Sequence, residues 1–273
     1  MQSLIPFGLH QDSGRLVDVA SVARGGGCGC ICPSCGVALV ARQGEVNEWH
    51  FAHRSRHVAS RSLRTCEYSL YMSVRLMFRQ LAIEGLRLRT PAFVDTAEIA
   101  TEGIHRSTRF DFVIARESVL ELEAQQVGSP FSGVEVDVLG HVKNVPFVIY
   151  CTYPGRAIPT VIRRPEIKRC GVLELNLTAT APVFLEEKSG RYTDVLRTCI
   201  EHSTTGRSWV YHPRYDAAKE EAEKRALARL AEQEPSEKAA AKRGYQCLAC
   251  GHQWRGTTDK CSHCNTHLYA ART

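Results

Sequence analysis

Apolar residues along the chain follow two different spacings. Between Cys66 and Glu84 they recur every three or four residues, the pattern of an amphipathic helix with one buried face. Gly85 and Pro91 predict the end of that helix. Beyond it the apolar positions alternate with polar ones, which predicts strands over residues 108–114, 119–125, 134–139, 146–152 and 171–177.

The order of these elements predicts a fold of the α/β (α+β) class. A helix precedes the strands, a polar stretch at 154–169 is expected to include a second helix, and the last strand follows it. This order favours a mixed sheet with helices packed on it. Upstream, apolar residues at 4–9 and 16–22 flank a Gln-Asp-Ser-Gly turn, which predicts a short hairpin.

Two close pairs of cysteines near the C-terminus predict a metal site. Ten residues separate the pairs, and the four predicted ligands are Cys247, Cys250, Cys261 and Cys264. Four thiolates at this spacing are what a closed tetrahedral zinc site needs. Zinc binding contributes roughly 10–16 kcal/mol to folding a segment too short for a hydrophobic core of its own. We therefore predict a zinc ribbon with four cysteine ligands over residues 244–273.

A second metal site is predicted near the N-terminus. Its Cys-Pro-Ser-Cys-Gly segment favours a tight knuckle, in which backbone amides point at the thiolates, and a His-Phe-Ala-His segment follows. The predicted zinc ligands are Cys32, Cys35, His50 and His53. Cys28 and Cys30 precede the knuckle at alternating spacing and could compete as ligands.

Composition and charge place the chain among globular proteins. It has 273 residues, of which 44% are hydrophobic and 23% charged. Charged residues among the first twenty predict no secretory signal peptide, and no apolar run is long enough to predict a membrane span. We therefore expect a cytoplasmic protein without a membrane partner or an organic cofactor, its paired cysteines acting as metal ligands. The single cysteines are expected to be buried small hydrophobic residues: Cys66, Cys151, Cys170 and Cys199.

Residues 213–243 have a different composition. Acidic and basic residues are balanced there, alanine fills most of the remainder, and several opposite charges stand four residues apart. This pattern predicts a charged helix, interrupted near Pro235, that acts as a spacer before the ribbon. A weak apolar stripe leaves open an alternative, in which the helix packs on a partner helix.

Clustered arginines suggest contact with phosphate. Eight arginines between residues 54 and 89, and a second basic run at 156–169, would suit bidentate phosphate binding. A solvated face that offsets acidic residues elsewhere is the alternative. In the ribbon, Trp254 and neighbouring cations suit contact with a nucleic-acid strand or duplex. The predicted nucleic-acid contacts are Arg75, Arg79, Arg163, Arg164 and Trp254.

Carboxylates within the predicted strands could converge on a divalent cation. Asp111, Glu123 and Asp137 stand in strands expected to be neighbours. Mg²⁺ prefers oxygen ligands, and a bound metal activates water for phosphodiester hydrolysis. The alternative is that these side chains lie on the solvent side of an antiparallel sheet.

The Cys-Pro-x-Cys-Gly segment, the turn at Gly44 and the His-Phe-Ala-His segment together resemble the N-terminal module of the competence protein CoiA-like family. The order of elements from the helix at Cys66 to the strand at 171–177 is similar to that family's second part. The resemblance covers roughly residues 4–180. It implies a restriction-endonuclease-like core of the PD-(D/E)XK type with Mg²⁺ as the cofactor of an active nuclease.

Two placements of that nuclease motif compete. In the first, Asp111 supplies the aspartate, and Glu123 and Gln125 form a Glu-x-Gln variant. In the second, Asp137 supplies the aspartate, and Tyr150 and Thr152 stand where the glutamate and lysine of the motif would be expected. The second fits the order of elements better. It leaves two outcomes, in which Glu123 substitutes as a ligand or the domain binds DNA without cutting it. The candidate catalytic residues are Asp137, Glu123, Asp111 and Gln125.

These patterns predict a DNA-binding protein with a nuclease-like domain and two structural zinc ions, acting in DNA uptake, processing or recombination. The alternatives are a catalytically inactive adaptor that binds DNA or recruits proteins, or a purely protein-binding scaffold. A protein partner would bind through the C-terminal ribbon. The predicted domains are a zinc module at 1–62, the nuclease-like domain at 63–212, the helical linker at 213–243 and the ribbon at 244–273.

Overall fold

The computed structural model describes residues 5–45, 48–54, 66–85, 87–100, 107–241 and 243–273. The chain divides into two compact units: the first comprises Met1–Val94 and Val113–Tyr215, and the second comprises Asp95–Phe112 and Asp216–Thr273. The architecture is mixed α/β with several sheets, and a Cys/His cluster lies near each terminus. The boundaries of the four predicted domains stay a prediction.

The N-terminal part is built from short antiparallel strands. Strands β1 (Phe7–His10), β2 (Arg15–Asp18) and β3 (Cys30–Ile31) form a sheet in the order β2-β1-β3. The predicted hairpin is therefore confirmed, and its second strand gives way to a 3-10 turn at Val19–Ser21. Strands β4 (Leu39–Arg42) and β5 (His50–His53) form a separate hairpin.

The predicted amphipathic helix is α1 (Leu70–Ile83). It begins where the side chain of Ser69 accepts a hydrogen bond from the backbone N–H of Met72, an N-cap that satisfies one of the free amides of the first turn. Its buried face is formed by Val74, Met77, Phe78 and Leu81. The predicted periodicity therefore corresponds to a real core contact.

Four strands follow in two separate pairs. Strand β6 (Arg87–Thr90) pairs antiparallel with β9 (Ser118–Glu121), and β7 (Phe93–Ala100) pairs with β8 (Ser107–Ala115). The predicted strand at 119–125 is split, because it ends at Glu121 and a new strand begins at Glu123.

The main sheet has the strand order β10-β11-β12-β13-β14. Its strands are β10 (Glu123–Phe131), β11 (Val134–Val142), β12 (Val145–Thr152), β13 (Gly171–Asn176) and β14 (Arg207–Tyr211). Strands β10 to β12 form an antiparallel meander, β13 is parallel to β12, and β14 is antiparallel to β13. The predicted turn between β11 and β12 is confirmed, since Lys143 and Asn144 both have positive φ, as a type I′ turn requires.

Helices cover both faces of this sheet. Helix α2 (Thr160–Arg163) lies in the connection between β12 and β13, and α3 (Leu177–Glu186) and α4 (Tyr192–His202) follow β13. Alternate residues of β12 enter two different hydrophobic clusters. Phe147, Ile149 and Cys151 pack with residues of α1, α3 and α4, and Val148 and Tyr150 pack with Ile162 of α2.

The last elements are a long helix and a small sheet. Helix α5 (Tyr215–Ala241) carries the predicted i,i+4 ion pairs, such as Lys224 with Glu220 at 2.7 Å. The helix continues past Pro235, contrary to the predicted interruption. A proline costs one hydrogen bond, but its fixed φ is close to the helical value. Strands β15 (Gly244–Cys247), β16 (Gln253–Arg255) and β17 (Ala270–Arg272) form an antiparallel ribbon in the order β16-β15-β17. Among the helices of the described ranges, none combines the length and the apolar character that crossing a membrane requires.

Candidate metal centres and a buried carboxylate

The N-terminal cluster consists of Cys32, Cys35, His53 and Cys66, whose ligand atoms all lie within 4.8 Å of one another. The two sulfurs of Cys32 and Cys66 are 3.7 Å apart. Nε2 of His53 lies 3.4 Å from Sγ of Cys35 and 3.6 Å from Sγ of Cys66. A zinc tetrahedron has edges of about 3.8 Å between sulfurs and about 3.6 Å between sulfur and nitrogen. The cluster therefore has the size of a zinc site.

Local backbone geometry positions these ligands. The N–H of Gly36 donates to the carbonyl of Cys32 at 2.8 Å, and Gly36 has a φ of 70°, which closes the knuckle. His53 ends β5 opposite Leu39 of β4, and Cys66 stands shortly before α1. The site thus ties a knuckle, a hairpin and the start of the first helix together.

The fourth member of the cluster is Cys66, where the sequence predicted His50. Successive side chains of a strand point to opposite sides, so His50 and His53, three residues apart on β5, face opposite ways. Nδ1 of His50 lies 2.8 Å from the carbonyl oxygen of Glu48, its hydrogen-bond acceptor. Cys66 was expected to be a buried hydrophobic residue, but it is half-buried and belongs to the cluster.

The two cysteines that could have competed as ligands lie outside this cluster. The thiol of Cys28 donates to the carbonyl of Leu39 at 3.3 Å, and that of Cys30 donates to the carbonyl of Cys28 at 3.4 Å. Both are buried and act as small core residues.

Burial sets the protonation of the N-terminal cluster. It lowers the pKa of His53, which keeps the imidazole neutral and able to bind a metal. Burial also raises the pKa of Cys32 to about 12, despite hydrogen bonds from the backbone amides of Cys35 and Ser34. A metal ion would therefore have to displace a proton from this thiol, and its affinity would rise with pH.

The C-terminal cluster contains the four cysteines predicted for it. Cys247, Cys250, Cys261 and Cys264 place their sulfurs within 4.8 Å of one another. Two of the edges, 3.8 Å from Cys247 to Cys264 and 3.7 Å from Cys250 to Cys261, match a tetrahedron of thiolates around zinc. The pKa of the Cys247 thiol is lowered to about 7, chiefly by a hydrogen bond from the backbone N–H of Cys250. Both clusters could hold zinc. They are the two groups of possible metal ligands found among the described residues.

Asp137, the predicted catalytic aspartate, is completely buried in β11 and its carboxylate is surrounded by donors. Oδ1 accepts from Nε of Arg75 at 2.5 Å and from Nε of Arg79 at 2.9 Å, both on α1. Oδ2 accepts from the backbone N–H of Cys151 at 2.7 Å and from Nη2 of Arg156 at 3.1 Å. Both oxygens of the carboxylate are therefore occupied.

Burial alone would raise the pKa of Asp137, but the charges of Arg75, Arg156 and Arg79 and the Cys151 amide outweigh it and hold that pKa below its ordinary value. Glu135 is largely exposed and lies beside two of these arginines, 2.7 Å from Nη2 of Arg79 and 3.5 Å from Nη2 of Arg75. Three guanidinium groups thus surround Asp137, and two of them also contact Glu135. A divalent cation entering here would meet the arginine charges before it met a free oxygen ligand.

The other predicted catalytic residues do not join this group. Glu123 is exposed at the start of β10, and Gln125 uses its side-chain amide to donate to the carbonyl of Leu122. Asp111 belongs to the second unit, where its carboxylate accepts from the hydroxyl of Thr96 at 2.7 Å. Neither Glu123 nor Gln125 is among the hydrogen-bond or ion-pair partners that the described residues offer to Asp137.

In the second placement of the nuclease motif, Tyr150 and Thr152 stand where glutamate and lysine would be expected. Both make other contacts. The ring of Tyr150 lies under the guanidinium of Arg156, 4.1 Å from its carbon to the ring centroid, which is a cation–π contact. The hydroxyl of Thr152 donates to Glu174 of β13 at 2.6 Å, and Ser208 donates to the same carboxylate at 2.6 Å. These contacts hold the strands together, and neither side chain supplies a carboxylate next to Asp137.

The predicted nucleic-acid contacts differ in how accessible they are. The side chains of Arg75 and Arg79 are only 10% and 15% exposed, because both point inward at Asp137. Arg163 and Arg164 are exposed at the end of α2. Trp254 is half-buried on the ribbon. Three further arginines of the first basic run, Arg56, Arg61 and Arg64, lie outside the described residues.

One segment of the chain is similar to a known protein family. The model of a family described as "Competence protein CoiA, N-terminal domain" matches residues 24–62. The match includes Cys32, Cys35 and His53, and it ends four residues before Cys66. No curated protein and no solved structure matches the chain. The segment that builds most of the first metal cluster is therefore similar to the N-terminal domain of that family.

Proposed function

We propose that the chain is a zinc-containing DNA-binding protein with a competence-related role, whose nuclease-like domain binds DNA without cutting it. The match of residues 24–62 to the CoiA N-terminal domain supports the competence-related role. Two zinc ions would be structural, one tying the N-terminal knuckle and hairpin to the segment before α1 and the other closing the two knuckles of the C-terminal ribbon. The C-terminal ribbon would add a second binding surface, for DNA or for a protein partner.

The order of elements in the first unit supports a restriction-endonuclease-like core. Helix α1 precedes an antiparallel meander of β10, β11 and β12, then comes helix α2, and β13 returns parallel to β12. This is the order implied by the resemblance to the CoiA-like family. Asp137 stands on the second strand of the meander and Tyr150 and Thr152 on the third, in agreement with the second placement of the nuclease motif.

One observation carries the claim that the domain does not cut. The Asp137 carboxylate already accepts four hydrogen bonds, three of them from arginines, and is 0% exposed. Metal-dependent hydrolysis needs carboxylate oxygens that are free to bind the cation. The residues present therefore do not fit Mg²⁺, and no hydrolytic step is assigned to them.

The exposed basic residues around α2 suit binding of a phosphate backbone. Arg163, Arg164, Lys168 and Arg169 are all exposed, and only Glu166 interrupts them. Arginine presents paired donors that match phosphate geometry. Each phosphate contact displaces condensed cations from DNA, so binding should weaken steeply with salt.

Incubation of the zinc-loaded protein with plasmid and linear DNA, in Mg²⁺ and in Mn²⁺, tests this proposal. We expect salt-sensitive binding and no cleavage with either metal. The variant Arg163→Ala/Arg164→Ala should lower the slope of log affinity against log salt by about 1–2. A matched control, Lys224→Ala/Arg225→Ala, removes two exposed charges from α5. Metal-dependent cutting that is lost in Glu123→Ala would contradict the proposal, as would failure to bind DNA at low salt.

A further inference from the structure

One side of the zinc ribbon carries a row of four stacked rings. Tyr245 and Trp254 are cross-strand partners on β15 and β16, and their centroids are 5.5 Å apart with an interplanar angle of 18°. His252, two residues before Trp254 and on the same side of the strand, stacks on it at 5.8 Å. His263 stacks on His252 at 5.2 Å. Each ring is nearly parallel to its neighbour.

Hydrogen bonds fix the orientation of the rings in this row. Nε1 of Trp254 donates to the carbonyl of Thr258 at 2.9 Å, and Nε2 of His252 lies 3.4 Å from the hydroxyl of Ser262. Tyr245 at one end is buried, Trp254 and His252 are half-buried, and His263 is exposed. The row is therefore held in place while part of its surface stays open to solvent.

The charge of the ribbon is strongly positive. Residues 243–273 contain the cations Arg243, Arg255, Lys260 and Arg272 and a single acidic side chain, Asp259. All of these side chains are exposed. A basic surface around aromatic rings is complementary to a nucleic-acid backbone with accessible bases.

Two of the arginines lie on opposite sides of the sheet. Arg272 of β17 is the register partner of Tyr245, so its side chain emerges on the side of the rings. Arg255 directly follows Trp254 along β16 and therefore points to the other side. They offer a matched pair, since removing either one changes the charge equally.

We propose that this ring row is a binding site for single-stranded DNA, with a base stacking on the open face of His263 at the exposed end of the row and phosphates near Arg272. The inference rests on the proposed DNA binding and specifies the form of DNA that the ribbon takes. In a duplex the base faces are covered by one another, so no ring can stack on them. A strand with free bases can extend the row by stacking a base on His263, and it can do so whatever its sequence.

Fluorescence anisotropy of the full-length, zinc-loaded protein tests the site, with a labelled oligothymidine of about 16 nucleotides and a duplex of equal length. We expect the single strand to bind at least about tenfold more tightly than the duplex. His263→Ala should weaken single-strand binding about tenfold, because it removes the ring on which the base stacks, and Trp254→Ala, which removes the ring that supports His252 and His263, should weaken it severalfold. Arg272→Ala should weaken it more than the control Arg255→Ala does.

The zinc content of each variant shows whether the ribbon is intact. His263→Ala should leave it intact, because the ring is exposed and makes no hydrogen bond described for this chain. If the single strand and the duplex bind equally well, and zinc-replete Trp254→Ala and His263→Ala bind the single strand as the unmodified protein does, the ring row is not the site. The proposed DNA binding would then still stand. Absence of binding to either DNA form by the unmodified protein would overturn both.

Discussion

Replacing Asp137 by asparagine tests whether its carboxylate is a structural anchor. Asparagine has nearly the same shape but carries no negative charge, so the substitution removes the interaction with Arg75, Arg79 and Arg156 without opening a cavity. Its amide group would also place N–H donors among guanidinium donors. Arg75 and Arg79 would then keep Glu135, which is 59% exposed, as a carboxylate partner, whereas Arg156 pairs with Asp137 and not with Glu135 among the described contacts.

The expected loss of stability is large. Removing one partner of a buried ion pair typically costs about 3–5 kcal/mol, because the other charge stays buried without compensation. Asp137 is 0% exposed, and the side chains of its three arginine partners are 10%, 15% and 19% exposed, so the upper part of that range applies. In contrast, Glu135→Gln breaks contacts of a largely exposed carboxylate and should cost less than about 1 kcal/mol.

The effect of Asp137 on stability should depend on pH in a defined direction. Its pKa in the folded chain lies below the ordinary value of 3.8, so the unfolded chain binds the proton more readily. The stability that the carboxylate contributes is therefore fully present above about pH 4 and is lost as the pH falls through the folded value. The difference between the unmodified protein and Asp137→Asn should shrink in the same window.

Urea unfolding of the unmodified protein, Asp137→Asn and Glu135→Gln, followed by circular dichroism at pH 7 with zinc present, measures these differences. A loss below about 1 kcal/mol for Asp137→Asn would show that the buried arginines do not depend on this charge, because removing one partner of a buried ion pair should destabilise the fold by several times as much. It would also remove the ground for excluding Asp137 as a metal ligand.

Two further predictions concern stability. Burial raises the pKa of Asp18 to about 6, although its carboxylate accepts the N–H of Thr193 at 2.9 Å. Because the folded chain then holds the proton more tightly, stability should fall by up to about 3 kcal/mol as the pH rises from about 4 to 7. In Asp18→Asn this dependence should disappear from unfolding curves, and its persistence would exclude Asp18 as the cause. A Cβ at Gly206, whose φ is 71°, would stand 2.6 Å from the carbonyl oxygen of Asn176, whereas Gly133 has a φ of 80° and nothing within 4 Å of such a Cβ. Gly133→Ala should therefore cost about 1–2 kcal/mol in thermal unfolding and Gly206→Ala clearly more, and equal losses would show that the contact adds nothing.

The sequence predicted the main elements where their periodicity was strong. The helix at 70–83 and the turn at Lys143 and Asn144 follow directly from apolar spacing and turn chemistry. The second half of β10 was missed, because Gly128 and Pro130 are signals of a turn. Strand β10 lies at the edge of the sheet, where a proline and a glycine with a φ of 61° are tolerated.

The metal ligands could be predicted from sequence where they stand close together along the chain. Paired cysteines identify the ribbon site completely, since all four of its ligands lie within two knuckles. In the N-terminal site, the alternation of side chains along a strand would have placed His50 and His53 on opposite faces. Cys66 stands thirteen positions after His53 and outside any pair, so its spacing gives no signal. The one feature that distinguishes Cys66 in the sequence is its position at the start of the predicted helix.

The environment of Asp137 could not be predicted from sequence. Its two partners on α1, Arg75 and Arg79, precede it by 62 and 58 positions. The same arginines looked like phosphate ligands, because a sequence does not tell whether a helix turns its basic face to solvent or to a carboxylate. The paired acidic and basic residues are recognised only when α1 is packed on the sheet.

Elemental analysis of protein purified without chelators tests the central claim, that each Cys/His cluster holds one zinc ion. We expect two zinc ions per chain, a loss of about one in Cys66→Ser, and no loss in His50→Ala. One zinc ion or fewer in the unmodified protein, or a loss in His50→Ala with none in Cys66→Ser, would contradict that claim.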